Sequence, residues 1–210
     1  MGIPVLILGA SGAGKTASLR GFNKGEILVL SVAGKTLPFR KKLDILYNTD
    51  YRAIGKALQS KKFKAYAVDD SQYLMAFEFF NRAQEKGYTK FTDIAQRFEK
   101  MVRYVAEKTP EDTIVYFLHH TESDENGGVK AKTIGRMLDE KLTLEGLFTI
   151  VLLATSDADG HHFLTENNGE SPAKTPMEMF PDTVIDNDLK YVDDKIRFYY
   201  DLAPNSITND

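Results

Sequence analysis

The apolar run Ile3-Pro4-Val5-Leu6-Ile7-Leu8 passes without a break into Gly9-Ala10-Ser11-Gly12-Ala13-Gly14-Lys15-Thr16. A short, continuously apolar segment bounded by glycine reads as a strand buried on both faces of a parallel sheet. Residues 15–22 read as a short helix. The glycine-rich segment between them matches G-x-x-x-x-G-K-[S/T] in full, in the strand-to-helix context that gives this spacing its meaning. Gly9, Gly12 and Gly14 allow backbone geometries that a Cβ would obstruct, so successive N–H groups can surround phosphate oxygens. The positive end of the following helix adds to the attraction. Gly9, Ala10, Ser11, Gly12, Ala13, Gly14, Lys15, Thr16 and Ala17 are the expected nucleotide-holding set, with Lys15 on the β and γ phosphates and Thr16 on Mg²⁺.

The rest of the chain alternates strand and helix patterns. Strands are expected over 26–32, 63–69, 113–118 and 147–154, and helices over 50–60, 71–86, 91–108, 133–144 and 186–202. Residues 33–46 read as an irregular, basic connection, 123–132 as a mobile loop, and 157–165 as a turn and the return strand of a hairpin. The segment 167–183 holds three of the seven prolines and reads as loop. Tyr73, Phe77, Phe79 and Phe80 are read as core packing, because helical aromatic stripes usually face a sheet. This alternation predicts a parallel sheet with right-handed crossovers and one domain over 1–210, its core at about 1–155 and a C-terminal hairpin and tail after it. Ligands in such sheets bind at the carboxyl ends of the strands, where the glycine loop, Asp69 and His119 all fall.

Asp69 ends an apolar strand, where an acid on the metal side of a phosphate site belongs; capping of the next helix is the alternative. Asp70 follows as a candidate to polarise the attacking water, with the same alternative. His119 and His120 end the strand where a neutral imidazole can sense a γ-phosphate, His119 being the chosen candidate. Successive strand residues point to opposite faces, which argues against a shared metal. His161 and His162 are read as surface residues. Lys130, Lys132 and Arg136 make a basic segment leaving the sensing strand, suited to DNA backbone, although Asp124 and Glu125 dilute its charge. Arg136, Lys132 and Lys174 are candidates for a cation that reaches the γ-phosphate.

Lys+Arg number 27 against Asp+Glu 30, a formal net charge of -3, so any nucleic-acid contact is local. The chain has no cysteine, which excludes disulfides and thiolate metal sites and fits a reducing compartment. No apolar run near the start is long enough to span a bilayer, and the expectation is a soluble, cytoplasmic protein.

Taken in order, the glycine loop, Val68-Asp69-Asp70-Ser71-x-x-Leu74, His119-His120-Thr121-Glu122 and Lys132-Thr133-Ile134-Gly135-Arg136-Met137-Leu138 resemble the phage-encoded AAA-like ATP-binding proteins. Ala173-Lys174-Thr175-Pro176, Met179-Phe180-Pro181 and Asn187-Asp188-Leu189 fit the same group. That group is related to the Sak-type single-strand annealing ATPases and, more distantly, to RecA. The resemblance implies a three-layer, RecA-like P-loop fold and use of ATP and Mg²⁺. It also implies ATP-dependent binding of single-stranded DNA in phage recombination or replication, as a homo-oligomer beside a single-strand-binding protein in the host cytoplasm. RecA places an oligomerisation segment before its core and a catalytic glutamate after the strand that follows the first helix. Here the first strand starts near Ile3, and residues 31–35 offer no acid, which leaves Asp70 as the local candidate base. The competing readings are a small-molecule kinase, although 160–210 holds a single arginine, Arg197, where a lid would need several, and an ATP-dependent protein adaptor or loader. A GTPase reading lacks an Asn-Lys-x-Asp run, since Asn23-Lys24 continues as Gly25-Glu26.

Overall fold

A computed structural model describes residues 1–123, 127–135, 143–169 and 171–205. Among these residues the strands are β1 (Ile3–Gly9), β2 (Ile27–Ser31), β3 (Asp44–Tyr47), β4 (Ala65–Asp69), β5 (Ile114–Ser123), β6 (Val129–Ala131), β7 (Ile150–Asp157), β8 (Gly160–Leu164) and β9 (Val184–Asp186). The α-helices are α1 (Tyr51–Ser60), α2 (Gln72–Asn81), α3 (Thr89–Lys108) and α4 (Leu189–Tyr199).

The strands form one mixed sheet in the order β3-β2-β4-β5-β1-β7-β8-β9, with β6 paired to β5. From β3 to β7 the neighbours run parallel; β8, β9 and β6 join antiparallel. The central strands carry near-continuous apolar sequence because both faces are covered. On one face, Leu6, Val68 and Phe117 pack against Ile54 of α1, Met75 of α2 and Phe98 of α3. On the other, Val5, Ile7 and Leu118 pack against Leu19, Phe22 and the α4 residues Val192 and Ile196. The protein is therefore α/β with a mostly parallel sheet and helices on both sides. Among the described residues no helix is long and apolar enough to cross a membrane.

Several elements depart from the sequence reading. The segment after the glycine loop is a six-residue 3-10 helix, Thr16–Gly21, not a longer α-helix, so its aligned amide dipoles are few. The basic stretch 33–46 contains the edge strand β3, and the proline-rich stretch leads into β9. The loop expected over 123–132 is in part β6, which turns the end of β5 into a hairpin arm. Of the helix expected over 133–144, residues 136–142 lie outside the described residues, and Leu144–Leu147 is 3-10. Of the α2 aromatics, Tyr73 and Phe79 pack on the core, whereas Phe77 and Phe80 are exposed.

At the amino-terminal rim of the sheet, α4 closes over a buried charge. Arg197 Nε donates to Asp193 Oδ2 at 2.7 Å, and its guanidinium also donates to the carbonyls of Asp112, Lys64 and Ala203. Tyr116 donates its hydroxyl to Asp193 at 2.8 Å, and Asn205 donates to the carbonyl of Glu26 at 2.9 Å.

Candidate functional site

The glycine loop leaves β1 at Gly9, and Gly12 and Gly14 both adopt left-handed backbone, with φ of 83° and 94°. At Gly14 the demand for glycine is double, because a Cβ would also lie 2.9 Å from the His161 ring. The Lys15 side chain curls back over the loop, its ammonium donating to the carbonyls of Gly9 at 2.6 Å and Ala10 at 2.8 Å. Burial lowers its pKa to about 8, against the opposing pull of Asp70 and Asp69. Thr16 Oγ1 donates to Asp69 Oδ1 at 2.8 Å.

Asp69 is the last residue of β4 and is buried, its backbone carbonyl accepting from Val32 N–H. Burial raises its pKa, with Asp70 adding to the rise and the Thr16 hydrogen bond opposing it. Asp70 takes a left-handed φ of 58°, which turns the chain between β4 and α2. Ser71 is then pinned, its N–H donating to the Leu118 carbonyl at 2.9 Å. The Asp70 carboxylate meets His120 Nε2 at 3.1 Å through Oδ1 and Lys35 Nζ at 2.7 Å through Oδ2. It is thus turned toward these two cations or donors, not toward the amides of α2. Burial alone would raise its pKa, but the bonds from His120 and Lys35 outweigh it and hold the carboxyl below its usual value.

The two histidines part company as strand neighbours must. His119 points to the α3 side, fully buried, its ring edge-on to Phe98. Its Nε2 lies 2.8 Å from the Lys132 carbonyl, an acceptor, so Nε2 carries the proton; Nδ1, 2.9 Å from Ser71 Oγ, then accepts from that hydroxyl. Burial drives its pKa down to about 4, against the Lys132 bond, which keeps the ring neutral. The choice of His119 is corrected by this geometry: it is His120 that lines the cleft over the glycine loop, opposite Gly9 in the β1–β5 register.

A cleft of about 450 Å³ opens over the loop, lined among others by Gly12, Lys15, Thr16, Lys35, Asp70 and His120. Ser11, Gly14 and Ala17 also border it, as does His161, which the sequence reading left on the surface without a role. Lys35 also lines the cleft, a residue that no motif in the sequence marks. Its signal was positional, the second residue of Gly34-Lys35 just past a strand's carboxyl end. Among the described residues, no group of three or more His, Asp or Glu side chains gathers as a metal cluster. Thr16 and Asp69 are the adjacent hard-oxygen donors at the loop.

The basic segment lies beside the site, not in it. Lys130 Nζ pairs with Glu122 at 3.3 Å across the β5–β6 ladder. Lys132 is exposed, and its backbone is gripped twice: its N–H donates to the His120 carbonyl at 2.8 Å while its carbonyl takes the His119 proton. Arg136 lies outside the described residues. Lys174 pairs through its backbone with Val151, the second residue of β7, away from the carboxyl rim.

No protein-family model matches the chain, and no curated protein matches it.

Proposed function

We propose that the chain is a P-loop ATPase of the RecA-like, Sak-type group, which binds and hydrolyses ATP with Mg²⁺ and acts on single-stranded DNA in phage recombination or replication. The observation that carries the reading is the Thr16–Asp69 hydrogen bond of 2.8 Å, which sets a hydroxyl and a carboxylate side by side at the mouth of a glycine loop ending in lysine. The strand order supports it, since β5 stands between the loop strand β1 and the acid strand β4, as an additional-strand P-loop ATPase requires.

The loop amides would surround the phosphates, and Lys15 would exchange the Gly9 and Ala10 carbonyls for β and γ oxygens. Thr16 and Asp69 fit Mg²⁺, which takes few protein oxygens and completes its shell with phosphate and water. The ion would supply neutralisation of the phosphate charge. Asp70, kept ionised and oriented by His120, would align a water and accept its proton. Lys130, Lys132 and Arg136 would meet the DNA backbone, repeated around a homo-oligomer. The double grip of the two histidines on the Lys132 backbone supports a coupling between that segment and the strand end beside the cleft.

Measuring ATP turnover with and without single-stranded DNA tests both halves of the reading. The expected result is DNA-stimulated turnover that disappears in Lys15→Ala and Asp69→Ala. Absence of nucleotide binding by the wild-type chain would overturn the ATPase reading. Turnover indifferent to DNA would overturn the DNA half and favour a protein or small-molecule partner.

A further inference from the structure

Among the described residues, Lys15 and Lys35 are the lysine or arginine side chains that line the cleft above the glycine loop. The two differ in how they are held. Lys15 is buried and occupied by two carbonyls of its own loop. The Lys35 side chain is 59% exposed, whereas its carboxylate partner on Asp70 is 9% exposed. Asp70 is therefore the fixed member of the pair, further anchored by His120, and Lys35 is the member free to move.

The backbone delivers Lys35 to this rim by an interlock. Gly34 takes a left-handed φ of 68°, and a Cβ there would fall 2.2 Å from Asn48 Oδ1. Asn48 itself is left-handed, with φ of 53°. From that start the Lys35 ammonium lies 5.2 Å from the centre of the Tyr73 ring, whose edge-on neighbour is His120. A flexible ammonium resting on an aromatic face and one carboxylate has a ready trajectory to a stronger anion entering the same cleft.

We propose that Lys35 is a substrate-contacting cation that recognises the terminal phosphate of a nucleoside triphosphate, exchanging the Asp70 carboxylate for a γ-phosphate oxygen. The inference rests on the ATPase reading above and adds to it the chemistry by which the site tells a triphosphate from a diphosphate. Lys15 is shared between two loop carbonyls and would be committed across the β and γ positions, so Lys35 is the second lysine of the lining that an entering γ-phosphate would meet, with Asp70 as its present partner. The exchange also leaves Asp70 with His120 as its partner and one carboxylate oxygen free for water. The device lies within a single chain and requires no residue from a neighbouring subunit.

The test is isothermal titration of Mg·ATP and Mg·ADP into wild type, Lys35→Ala, Lys35→Arg and Lys15→Ala, with each melting temperature measured beforehand. Loss of one charge-assisted contact predicts that Lys35→Ala weakens ATP about tenfold and ADP less than about twofold, with Lys35→Arg restoring most of the ATP preference. Lys15→Ala is expected to weaken both ligands. If Lys35→Ala keeps the wild-type ratio of ATP to ADP affinity, the inference falls and the ATPase reading stands. If the wild-type chain binds neither nucleotide, both fall together. A residue that merely positioned Asp70 would change turnover and leave the affinity ratio untouched.

Discussion

Thr16 and Asp69, 53 residues apart in sequence, share a hydrogen bond of 2.8 Å that ties the loop after β1 to the end of β4, two strands away in the sheet. Asp69 is nearly inaccessible, and its charge is disfavoured chiefly by burial. Asp69→Asn keeps an acceptor for Thr16 and removes that buried charge. The ligand-free variant is expected to match or exceed wild-type stability by about 1 kcal/mol, while losing Mg²⁺-dependent stabilisation by ATP. Thermal melts with ATP, with and without Mg²⁺, check this. A Mg²⁺-dependent shift that survives in Asp69→Asn would remove Asp69 from the metal side of the site.

Lys15 gives a second prediction, in which the sign follows from linkage. Its folded pKa, about 8, lies below the ordinary 10.5, so between those values the unfolded chain holds the proton more tightly. The destabilisation caused by the buried ammonium is therefore largest at neutral pH and fades as pH rises. Lys15→Met lacks this titration, and the stability difference is expected to move in favour of wild type by about 2 kcal/mol between about pH 7.5 and 9.5. Urea melts of the two proteins across that range measure it; parallel curves would show that Lys15 is not desolvated in solution.

The opposite limb belongs to His119. A ring held near pKa 4 in the fold and near 6.5 when unfolded takes its proton first in the unfolded state as pH falls. Stability is therefore lost between about pH 6.5 and 4, by up to about 3 kcal/mol from this one group. His119→Asn is expected to be less stable at neutral pH, since it gives up the Ser71 and Lys132 bonds, yet flatter across the acid limb. Chemical denaturation at a series of pH values separates the two effects.

The Asp193–Arg197 pair predicts a purely structural loss. Arg197→Met would strand a buried carboxylate and free three carbonyls, costing about 3–5 kcal/mol. Tyr116→Phe removes one bond to the same carboxylate and should cost about 1–2 kcal/mol. A loss of nucleotide affinity in either variant that exceeds the unfolded fraction would contradict the separation of this cluster from the cleft.

The apolar strands, the loop residues 9–16 and the two acids were legible because their signals are local: unbroken burial writes a continuous apolar run, and the glycine spacing is read in a single stretch. β3 was not, since it is an edge strand with half of its residues exposed and basic sequence before it. β9 is three residues long and carries too little pattern to see. Which histidine faces the cleft is a question of parity. Val115 and Phe117 belong to the α1–α3 face, and Tyr116 and Leu118 to the other, but β5 is apolar on both sides, so the sequence does not distinguish them. Lys35 was hidden for a different reason. Its partner Asp70 comes from another strand, and the left-handed turns at Gly34, Asn48 and Asp70 that bring the two together depend on the folded sheet.

The Arg197 cluster has a bearing on motion. It fastens the chain just ahead of β4 and β5, while Asn205 fastens the residue ahead of β2, all at the rim farthest from the glycine loop. Opening events that expose amides to solvent exchange are thereby biased toward the opposite rim, where the connections carrying Lys15, Lys35 and His161 can rearrange while the strands beneath keep their register. The sheet is clamped at the edge away from the cleft, so whatever rearrangement accompanied a bound guest would fall to the edge that carries Lys15, Lys35 and His161.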